Sequence, residues 1–396
     1  MVPAWKIKRE LTRIKDQILH LPQTLSSLPG RMRESQKRAD YLRDFDKLTR
    51  RSQGTQPLAD RVAIFLLYQP KGIARSALAT CDWLRAQGYA PFLVLNCAIT
   101  NEDRALLLEN CWSLLERPNF GYDFGGYQDA IRLLNRDGVT PEKLIVMNDS
   151  VWMPMRPGLL GQLEANFADA DICGLLQDEK VIHDTSGGHA SAFSHLESYF
   201  YLIRRSAWQH PEFQAFWDNY KMTDYKPKTI KNGEIRFSRA MAAAGLKLTA
   251  LSRREVFLQE IQKKDDAFLR NTLKYAAYAD ADIIRRAKHI AALDAAHPEW
   301  REKVLDHIRR AVNRKRFNAS FPYANEQIFG THFLKKSSEP IWSAMRSAYL
   351  RALNEGMVSA PPPAIADEIL ALQTKDQPPK APALTKLARR GAANTL

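Results

Sequence analysis

Two short segments carry residue types that suit an anionic ligand. Gly121-Tyr-Asp-Phe-Gly-Gly-Tyr-Gln-Asp-Ala130 places glycines before and inside the start of a predicted helix. Because the first turn of a helix presents unpaired backbone N–H groups and partial positive charge, it suits a phosphate. Asn148-Asp149-Ser150 follows an apolar segment, and its carboxylate can hold a divalent cation beside that phosphate. Together the two segments predict a nucleotide-sugar site.

The glycine-bearing segment offers several contacts to such a ligand. Asp123 could accept hydrogen bonds from ribose hydroxyls or a base N–H, although aspartate before a helix also acts as its cap. Gly125 and Gly126 would allow close backbone approach to a ligand, and the alternative is a tight turn at positive φ. Tyr122 could stack on a base or belong to the core. The predicted donor-binding residues are Tyr122, Asp123, Gly125, Gly126, Asn148, Asp149 and Ser150.

Asp149 is the predicted metal ligand. One carboxylate flanked by Asn148 and Ser150 can bind Mg²⁺ or Mn²⁺, with diphosphate oxygens and water as the other ligands. A leaving nucleoside diphosphate develops negative charge, which the cation stabilises. The alternative is an Asx turn that ends a strand. We therefore predict a divalent cation, Mg or Mn, as cofactor.

A second set of residues could activate an acceptor hydroxyl. A general base must lie within hydrogen-bond reach of that hydroxyl, and the candidates are His195, Glu197 and Glu234. Glu234 starts a predicted helix, where a carboxylate also interacts favourably with the helix dipole. The residues alone do not choose among the three. Lys335 and Lys336 could contact a diphosphate of the donor or of a lipid carrier, or form a solvated basic pair.

Alternating strands and helices would position these residues. The apolar and β-branched segments that predict strands are 61–68, 91–96, 144–147, 171–176, 198–203 and 247–251. Helical patterns between them indicate an α/β fold, a mostly parallel sheet sandwiched by helices. Such a sheet brings both phosphate-binding segments to one edge. The Gly-, Ser- and His-rich stretch 177–194 predicts a mobile loop.

Composition divides the chain into four predicted parts. Residues 1–55 are a basic, amphipathic helical appendage, and residues 56–255 form the nucleotide-sugar-binding α/β domain. Residues 256–357 are a helical C-terminal region that completes the site. Residues 358–396 are a proline-rich, loosely ordered tail.

The bulk composition indicates a packed protein of a reducing compartment. Hydrophobic residues make up 45% of the 396 residues and charged residues 26%, which is typical of a globular core. The four cysteines form no metal-binding spacing, so we expect free thiols. No signal-peptide pattern and no apolar run of about 18 residues is visible. We therefore expect a cytoplasmic location.

The formal net charge of +14 indicates an anionic partner. No zinc finger, RNA-binding aromatic signature or helix-turn-helix pattern is present, so we expect no nucleic acid. Within residues 1–21, apolar residues recur at helical spacing among lysines and arginines, with Trp5 near the start. This pattern predicts a helix on the inner face of the cytoplasmic membrane, and equally fits a helix packed on the domain or on a partner.

The order of the motifs resembles that of the rhamnan synthesis protein F family, glycosyltransferases of bacterial cell-surface polysaccharide assembly. The matching segments are Gly121–Ala130, Asn148–Ser150 with Pro154, His195–Phe200, Phe213–Trp217, Glu234–Ser238 with Gly245, and Phe333–Lys336. The resemblance covers about residues 60–336. One departure is Glu197, which stands where the family's His-Leu-Gln-Ser-Tyr-Phe pattern has glutamine.

This resemblance implies a GT-A-like glycosyltransferase. It would move a sugar, with rhamnose the family's frequent choice, from a nucleotide-sugar donor to a growing cell-surface polysaccharide or lipid-linked glycan of the cell envelope. Inversion at the transferred carbon is the expected outcome. The alternative is a catalytically inert glycan- or polyanion-binding protein on the same fold, because Asn148-Asp149-Ser150 has one carboxylate where GT-A enzymes generally carry two.

Overall fold

The structure is a computed structural model that describes residues 33–167, 169–183, 190–293, 297–314 and 317–376. The predicted membrane-facing helix of residues 1–21 lies outside these ranges, as do residues 377–396 of the predicted tail. None of the described helices combines the length and the apolar character needed to cross a membrane.

The described strands form one mixed sheet. They are β1 (Arg50–Gln53), β2 (Arg61–Leu67), β3 (Tyr89–Leu95), β4 (Ser113–Glu116), β5 (Lys143–Asn148), β6 (Ile172–His183), β7 (Ala190–Leu196), β8 (Phe200–Arg204) and β9 (Leu248–Arg253). The spatial order is β1-β4-β3-β2-β5-β8-β6-β7, with β9 beside β6. The predicted α/β class is confirmed.

The parallel part of the sheet is its buried centre. Strand β2 pairs in parallel with both β3 and β5, and β3 pairs in parallel with β4. Ile64 of β2 lies between Phe92 and Val146 of its two neighbours. These strands are apolar on both faces, as strands covered by helices on both sides must be. On the far side, β8 pairs antiparallel with β5 and β6, and β7 with β6.

Helices cover both faces of this sheet. The described α-helices are α1 (Glu34–Arg43), α2 (Phe45–Leu48), α3 (Arg75–Ala86), α4 (Asn101–Glu109), α5 (Tyr122–Arg136), α6 (Leu159–Asn166), α7 (Arg205–Trp208), α8 (Pro211–Asn219), α9 (Lys226–Ile230), α10 (Arg236–Ala243), α11 (Arg254–Lys263), α12 (Asp266–Lys274), α13 (Ala281–Ala291), α14 (Trp300–Arg314), α15 (Phe317–Ser320), α16 (Pro322–Phe329), α17 (Pro340–Asn354) and α18 (Pro363–Asp376). One turn of π-helix, Lys231–Ile235, joins α9 to α10. Helices α5, α8 and α10 pack in the core on one face, and α3, α6 and the helices from α11 onward pack on the other.

The stretch predicted as a mobile loop is largely a β-hairpin, so that prediction was wrong over 177–183 and 190–194. Strands β6 and β7 pair antiparallel, with Gln177 opposite Leu196. Strand β6 is held between β8 and β9 near its start, and this pairing overrides the weak strand propensity of Gly, Ser and His. Residues 184–189 lie outside the described ranges.

A helix also replaces part of the tail that the proline-rich composition predicts to be loose. Pro363 opens α18, where its fixed φ suits a first helical residue. Ile365 and Ile369 are fully buried against the rest of the protein. Gln373 Nε2 donates to Ser347 Oγ at 2.7 Å. Proline content marks the start of this helix, and tertiary burial of its apolar face keeps it in place.

Candidate functional site

A cleft of about 860 Å³ opens where β2, β3 and β5 end. We call it the edge cleft, since parallel strands deliver the loops after their carboxyl ends to this edge. The predicted site residues that line it are Tyr122, Asp123, Asn148, Asp149, Ser150, Glu197, Glu234, Lys335 and Lys336. The predicted site residues outside its lining are Gly125, Gly126 and His195. Residues more than 200 positions apart in sequence therefore meet at one place.

The loop before α5 has an unusual backbone. Gly121 and Tyr122 both have positive φ, at 80° and 55°, and Tyr122 is the one non-glycine residue of the described chain in that region. Bulky residues seldom adopt it, and such strain concentrates at functional sites. Two hydrogen bonds hold the loop: Asn96 Nδ2 donates to the Tyr122 carbonyl at 2.9 Å, and Tyr122 Oη donates to the Asp224 carbonyl at 2.8 Å.

Asp123 faces the edge cleft from the first turn of α5. Its Oδ1 accepts the Phe124 backbone N–H at 3.0 Å, so the predicted helix-start role is present. Its Oδ2 lies 3.3 Å from the Asn148 amide and 3.4 Å from the Ser198 hydroxyl. Burial and the nearby charge of Glu234 raise the pKa of Asp123 to about 6. This carboxyl group can therefore exchange a proton near neutral pH.

Gly125 and Gly126 allow α5 to pack closely on its neighbours, and their predicted contact with a ligand stays a prediction. A Cβ on Gly125 would lie 2.2 Å from the Phe120 carbonyl oxygen, and one on Gly126 would lie 2.3 Å from a methyl of Leu66. Neither φ is positive, so the tight-turn alternative does not apply either. In the structure, these glycines allow α5 to approach its own preceding loop and strand β2 closely.

The second half of the glycine-bearing segment also builds the fold. Gln128 Nε2 donates to the carbonyl oxygens of Trp217 and Tyr220, at 2.6 and 3.0 Å. Asp129 Oδ2 accepts from Arg117 Nε at 2.7 Å and from Tyr41 Oη at 2.6 Å, in a fully buried ion pair. These contacts anchor α5 to α8 and α1, and they leave only its first turn at the edge cleft.

Asp149 follows the end of β5. Its Oδ2 accepts the Tyr68 backbone N–H at 3.2 Å and Gln69 Nε2 at 3.1 Å. Burial raises the pKa of Asp149, and the charge of Lys336 opposes that rise. Both of these hydrogen bonds go to the same oxygen, and Mg²⁺ typically takes one or two protein carboxylates beside substrate phosphates. This donor set fits a cation that arrives with a diphosphate.

Asn148 and Ser150 form an Asx turn, which is the alternative interpretation of this segment in the sequence analysis. Asn148 Oδ1 accepts both the backbone N–H and the hydroxyl of Ser150, at 3.0 and 2.5 Å. An Asx turn therefore exists here, and it coexists with a cleft-facing Asp149. The turn orients the carboxylate instead of competing with a role in ligand binding.

The two predicted lysines reach the edge cleft through a short pairing with the segment after β5. Val151 forms an isolated antiparallel bridge with Lys335, and the Lys336 N–H donates to the Ser150 carbonyl at 2.8 Å. Lys336 Nζ lies 3.1 Å from Ser76 Oγ, and burial lowers the pKa of Lys336. Lys335 Nζ sits over the ring of Tyr199, 5.6 Å from its centroid. Both ammonium groups are positioned rather than loosely solvated.

Glu368 is a lining residue that the sequence did not single out. It comes from α18, accepts the Ser76 backbone N–H at 2.8 Å and Trp152 Nε1 at 3.0 Å, and lies 3.9 Å from Lys336. Its place in the proline-rich tail gives no local signal of a site. Only the docking of α18 onto α3 reveals it.

His195, Glu197 and Glu234 converge on one wall, and we call them the His–Glu cluster. Their exposed fractions are 1%, 2% and 6%. His195 Nε2 lies 3.2 Å from Glu234 Oε1, and Glu234 Oε2 accepts the Ser198 backbone N–H at 3.1 Å. Glu197 and Glu234 line the edge cleft, and His195 stands behind them.

The lining of the edge cleft mixes both signs of charge. Its carboxylates are Asp123, Asp149, Glu197, Glu234 and Glu368, and its ammonium groups are Lys71, Lys226, Lys335 and Lys336. Cations can neutralise a diphosphate, while carboxylates can hold a metal ion or accept a proton. The fold and this site define an α/β protein with a polar, ionisable cleft at the carboxyl edge of parallel strands.

Comparisons with known proteins identify the family. The rhamnan synthesis protein F family matches residues 92–286. The uncharacterized protein y4gN of Sinorhizobium fredii (strain NBRC 101917 / NGR234) is 30% identical over 275 residues, 69% of this chain and 68% of that protein. The chain belongs to the rhamnan synthesis protein F family.

One solved structure shows a distant likeness. It is the mannosyltransferase PcManGT from Pyrobaculum calidifontis in complex with GDP-Man and Mn²⁺, at 10% identity and a TM-score of 0.30. The match covers 86% of this chain and 93% of that chain. A likeness this distant assigns no residue of the edge cleft.

Proposed function

We propose that this protein is a glycosyltransferase of the GT-A type. It binds a nucleotide-sugar donor in the edge cleft and transfers the sugar to a growing cell-surface polysaccharide or a lipid-linked glycan. Membership of the rhamnan synthesis protein F family supports this activity, and its name favours rhamnose as the sugar. The observation that carries the proposal is the meeting of Asp123, Asp149 and Lys336 at one edge of the sheet.

The diphosphate of the donor would lie between the first turn of α5 and Asp149. A Mg²⁺ or Mn²⁺ ion on Asp149 would neutralise the charge that develops on the leaving nucleoside diphosphate. Lys335 and Lys336 add fixed positive charge on the same wall. Because these groups are held by backbone pairing before ligand arrives, they need little reorganisation during the reaction.

The acceptor hydroxyl would approach the wall formed by the His–Glu cluster. Glu197 and Glu234 are the cleft-facing candidates for its activation, and His195 positions Glu234 from behind. With the base on the face opposite the leaving group, the transfer inverts the configuration of the sugar. Asp123 lies between this wall and Asp149, where it contacts Ser198 and Asn148.

Donor binding tests this proposal. Nucleoside diphosphates and nucleotide sugars are titrated calorimetrically into the full chain, with Mg²⁺, with Mn²⁺ and without metal. We expect saturable binding of one nucleotide family, weakened about 10-fold or more in Asp149→Asn because a charged contact is lost. The exposed Asp60→Asn is the matched control and should bind as wild type.

Two outcomes would count against a transferase. Failure of every nucleotide to bind the folded wild type would remove the donor site. Salt-sensitive binding of polyanions without donor affinity would instead support the inert binding protein.

We propose peripheral attachment to the inner membrane face through residues 1–21. The basic, amphipathic composition of that segment supports the proposal. Deletion of residues 1–21 should abolish sedimentation with vesicles that contain acidic lipids. Undiminished sedimentation of the folded deletion variant would contradict it.

A further inference from the structure

The His–Glu cluster has the composition and spacing of a metal site that is separate from Asp149. One potential ligand atom from each of His195, Glu197 and Glu234 lies within 4.8 Å of the other two. It is the one group of three or more such side chains among the described residues. All three residues are more than nine-tenths buried. Three side chains at this spacing can converge on one ion.

The local fold holds these side chains in place. His195 and Glu197 flank the end of β7, where the Ser238 hydroxyl of α10 accepts the Leu196 N–H at 3.1 Å. Glu234 stands on the π-helical turn, a rare geometry that is frequent at functional sites. Gly233 lets this turn pack on Phe124, since a Cβ there would lie 2.6 Å from the ring. A wide turn and a close glycine contact thus aim one carboxylate at the imidazole.

The imidazole supplies an independent indication of a missing partner. Neither ring nitrogen of His195 makes a hydrogen bond in the described structure, although Nε2 is close to Glu234. Buried polar atoms nearly always have a partner, and exceptions require an explanation. A metal ion bound by a ring nitrogen would provide one.

We propose that His195, Glu197 and Glu234 bind a divalent transition-metal ion, with Mn²⁺ or Zn²⁺ as the matching class. Two carboxylates balance the charge of a divalent ion. The imidazole nitrogen favours a transition metal over Mg²⁺ or Ca²⁺, which prefer oxygen ligands. Because Glu197 and Glu234 line the edge cleft, the remaining coordination positions face the space where substrates would bind. With the ion bound, the two glutamates would activate an acceptor hydroxyl through the ion, which acidifies a hydroxyl that it binds.

This inference requires no nucleotide, so it is tested separately from the proposed transferase activity. The full chain is stripped with a chelator, and MnCl₂ and ZnCl₂ are titrated calorimetrically without nucleotide. We expect one tight ion per chain for wild type. The variants Glu197→Gln and Glu234→Gln, which preserve shape, should each weaken binding about 10-fold or more.

Control variants separate this site from its neighbours. Asp149→Asn and the exposed Glu109→Gln should retain the wild-type metal affinity and stoichiometry. Circular dichroism of the metal-free variants distinguishes lost ligands from lost folding. Electron paramagnetic resonance of Mn²⁺ added to wild type provides a readout that depends on no variant.

Three results would overturn the proposal. The first is the absence of stoichiometric Mn²⁺ or Zn²⁺ binding by wild type in both measurements. The second is unchanged affinity in the folded Glu197→Gln/Glu234→Gln double variant. The third is loss of the ion in Asp149→Asn alone, which would place the metal at Asp149.

Discussion

Two buried histidine–glutamate pairs occupy different regions of this molecule. His195 and Glu234 lie 3.2 Å apart at the edge cleft, where Glu234 lines the wall and His195 stands behind it. His332 and Glu326 lie 2.6 Å apart in the C-terminal helical region. Each of the four residues is less than a tenth exposed. The same pair of side chains therefore appears in two contexts, and their surroundings differ.

The C-terminal pair, which we call the closed pair, does not line the edge cleft. Glu326 Oε1 accepts the Ser359 N–H at 2.7 Å, and the His332 ring packs on Tyr349 with centroids 4.7 Å apart. Burial favours the neutral acid, but hydrogen bonding and the charge of His332 outweigh it and lower the pKa of Glu326. This pair joins α16 to the segments on either side of α17, so its role is structural.

The pair His195–Glu234, which we call the cleft pair, differs from the closed pair in two ways. A third potential metal ligand lies beside it, and the edge cleft gives access to it. Glu197 joins His195 and Glu234, and both glutamates line the edge cleft. The closed pair has no third metal-ligating side chain within reach among the described residues, whereas the cleft pair has Glu197 beside it and lies at the edge cleft. Access and a third donor, rather than the pair itself, distinguish a candidate site from a structural ion pair.

The largest expected effect on folding belongs to the closed pair. Glu326→Ala leaves His332 buried without its partner and should lower the free energy of unfolding by about 3–5 kcal/mol. Urea denaturation measures the loss. The exposed Glu109→Ala should stay within about 0.5 kcal/mol of wild type. A Glu326→Ala effect equal to that of Glu109→Ala would contradict a structural role for the closed pair.

A third buried histidine, His307, contacts a tyrosine instead of a glutamate, and its pKa is lowered. His307 Nε2 lies 2.8 Å from Tyr278 Oη, and burial together with the charge of Arg286 lowers the pKa of His307 from 6.5 to about 4. Between these values the unfolded chain binds more protons, so the stability that His307 contributes is present above 6.5 and is lost as pH falls toward 4.

This difference in pKa predicts a pH-dependent stability difference. From pH 7 to pH 5, wild type should lose about 2 kcal/mol more free energy of unfolding than His307→Gln. Urea denaturation at the two pH values provides the measurement, with the exposed His289→Gln as control. Parallel losses in wild type and His307→Gln would show that His307 is not held neutral.

A smaller effect is expected from a substitution that shifts the position of Glu234 but keeps its carboxylate. Gly233→Ala pushes the π-helical turn away from Phe124, since the new Cβ would lie 2.6 Å from the ring. We expect a loss of about 1–3 kcal/mol in unfolding free energy and weaker metal binding, with every ligand retained. Gly161→Ala in α6 meets nothing within 4 Å and should be neutral or slightly stabilising. Unchanged metal affinity in Gly233→Ala would mean that the turn does not position Glu234.

Local sequence pattern predicts the parts of the cleft that follow strands. Asp149 ends an apolar strand and Asp123 opens a glycine-bearing helix, so neighbouring residues alone place both at the edge of the sheet. The same pattern does not separate a glycine needed for packing from one needed for a ligand, and Gly125 and Gly126 both pack closely in the structure.

Tertiary contacts explain what the pattern misses. Glu368 reaches the cleft only because α18 docks, and the hairpin of β6 and β7 depends on neighbouring strands rather than on its own composition. The π-helical turn that carries Glu234 has no sequence signature in this chain. Such features require the partner surface to be known before they can be predicted.

Sugar transfer tests most directly the claim that the cleft pair is functional and the closed pair structural. Transfer of labelled sugar from the bound nucleotide sugar to a glycan-lipid extract is compared for wild type, Glu234→Gln and Glu326→Gln. We predict transfer by wild type and Glu326→Gln, and about 100-fold slower transfer by Glu234→Gln. Wild-type rates in Glu234→Gln, or equal losses in both folded variants, would contradict the account.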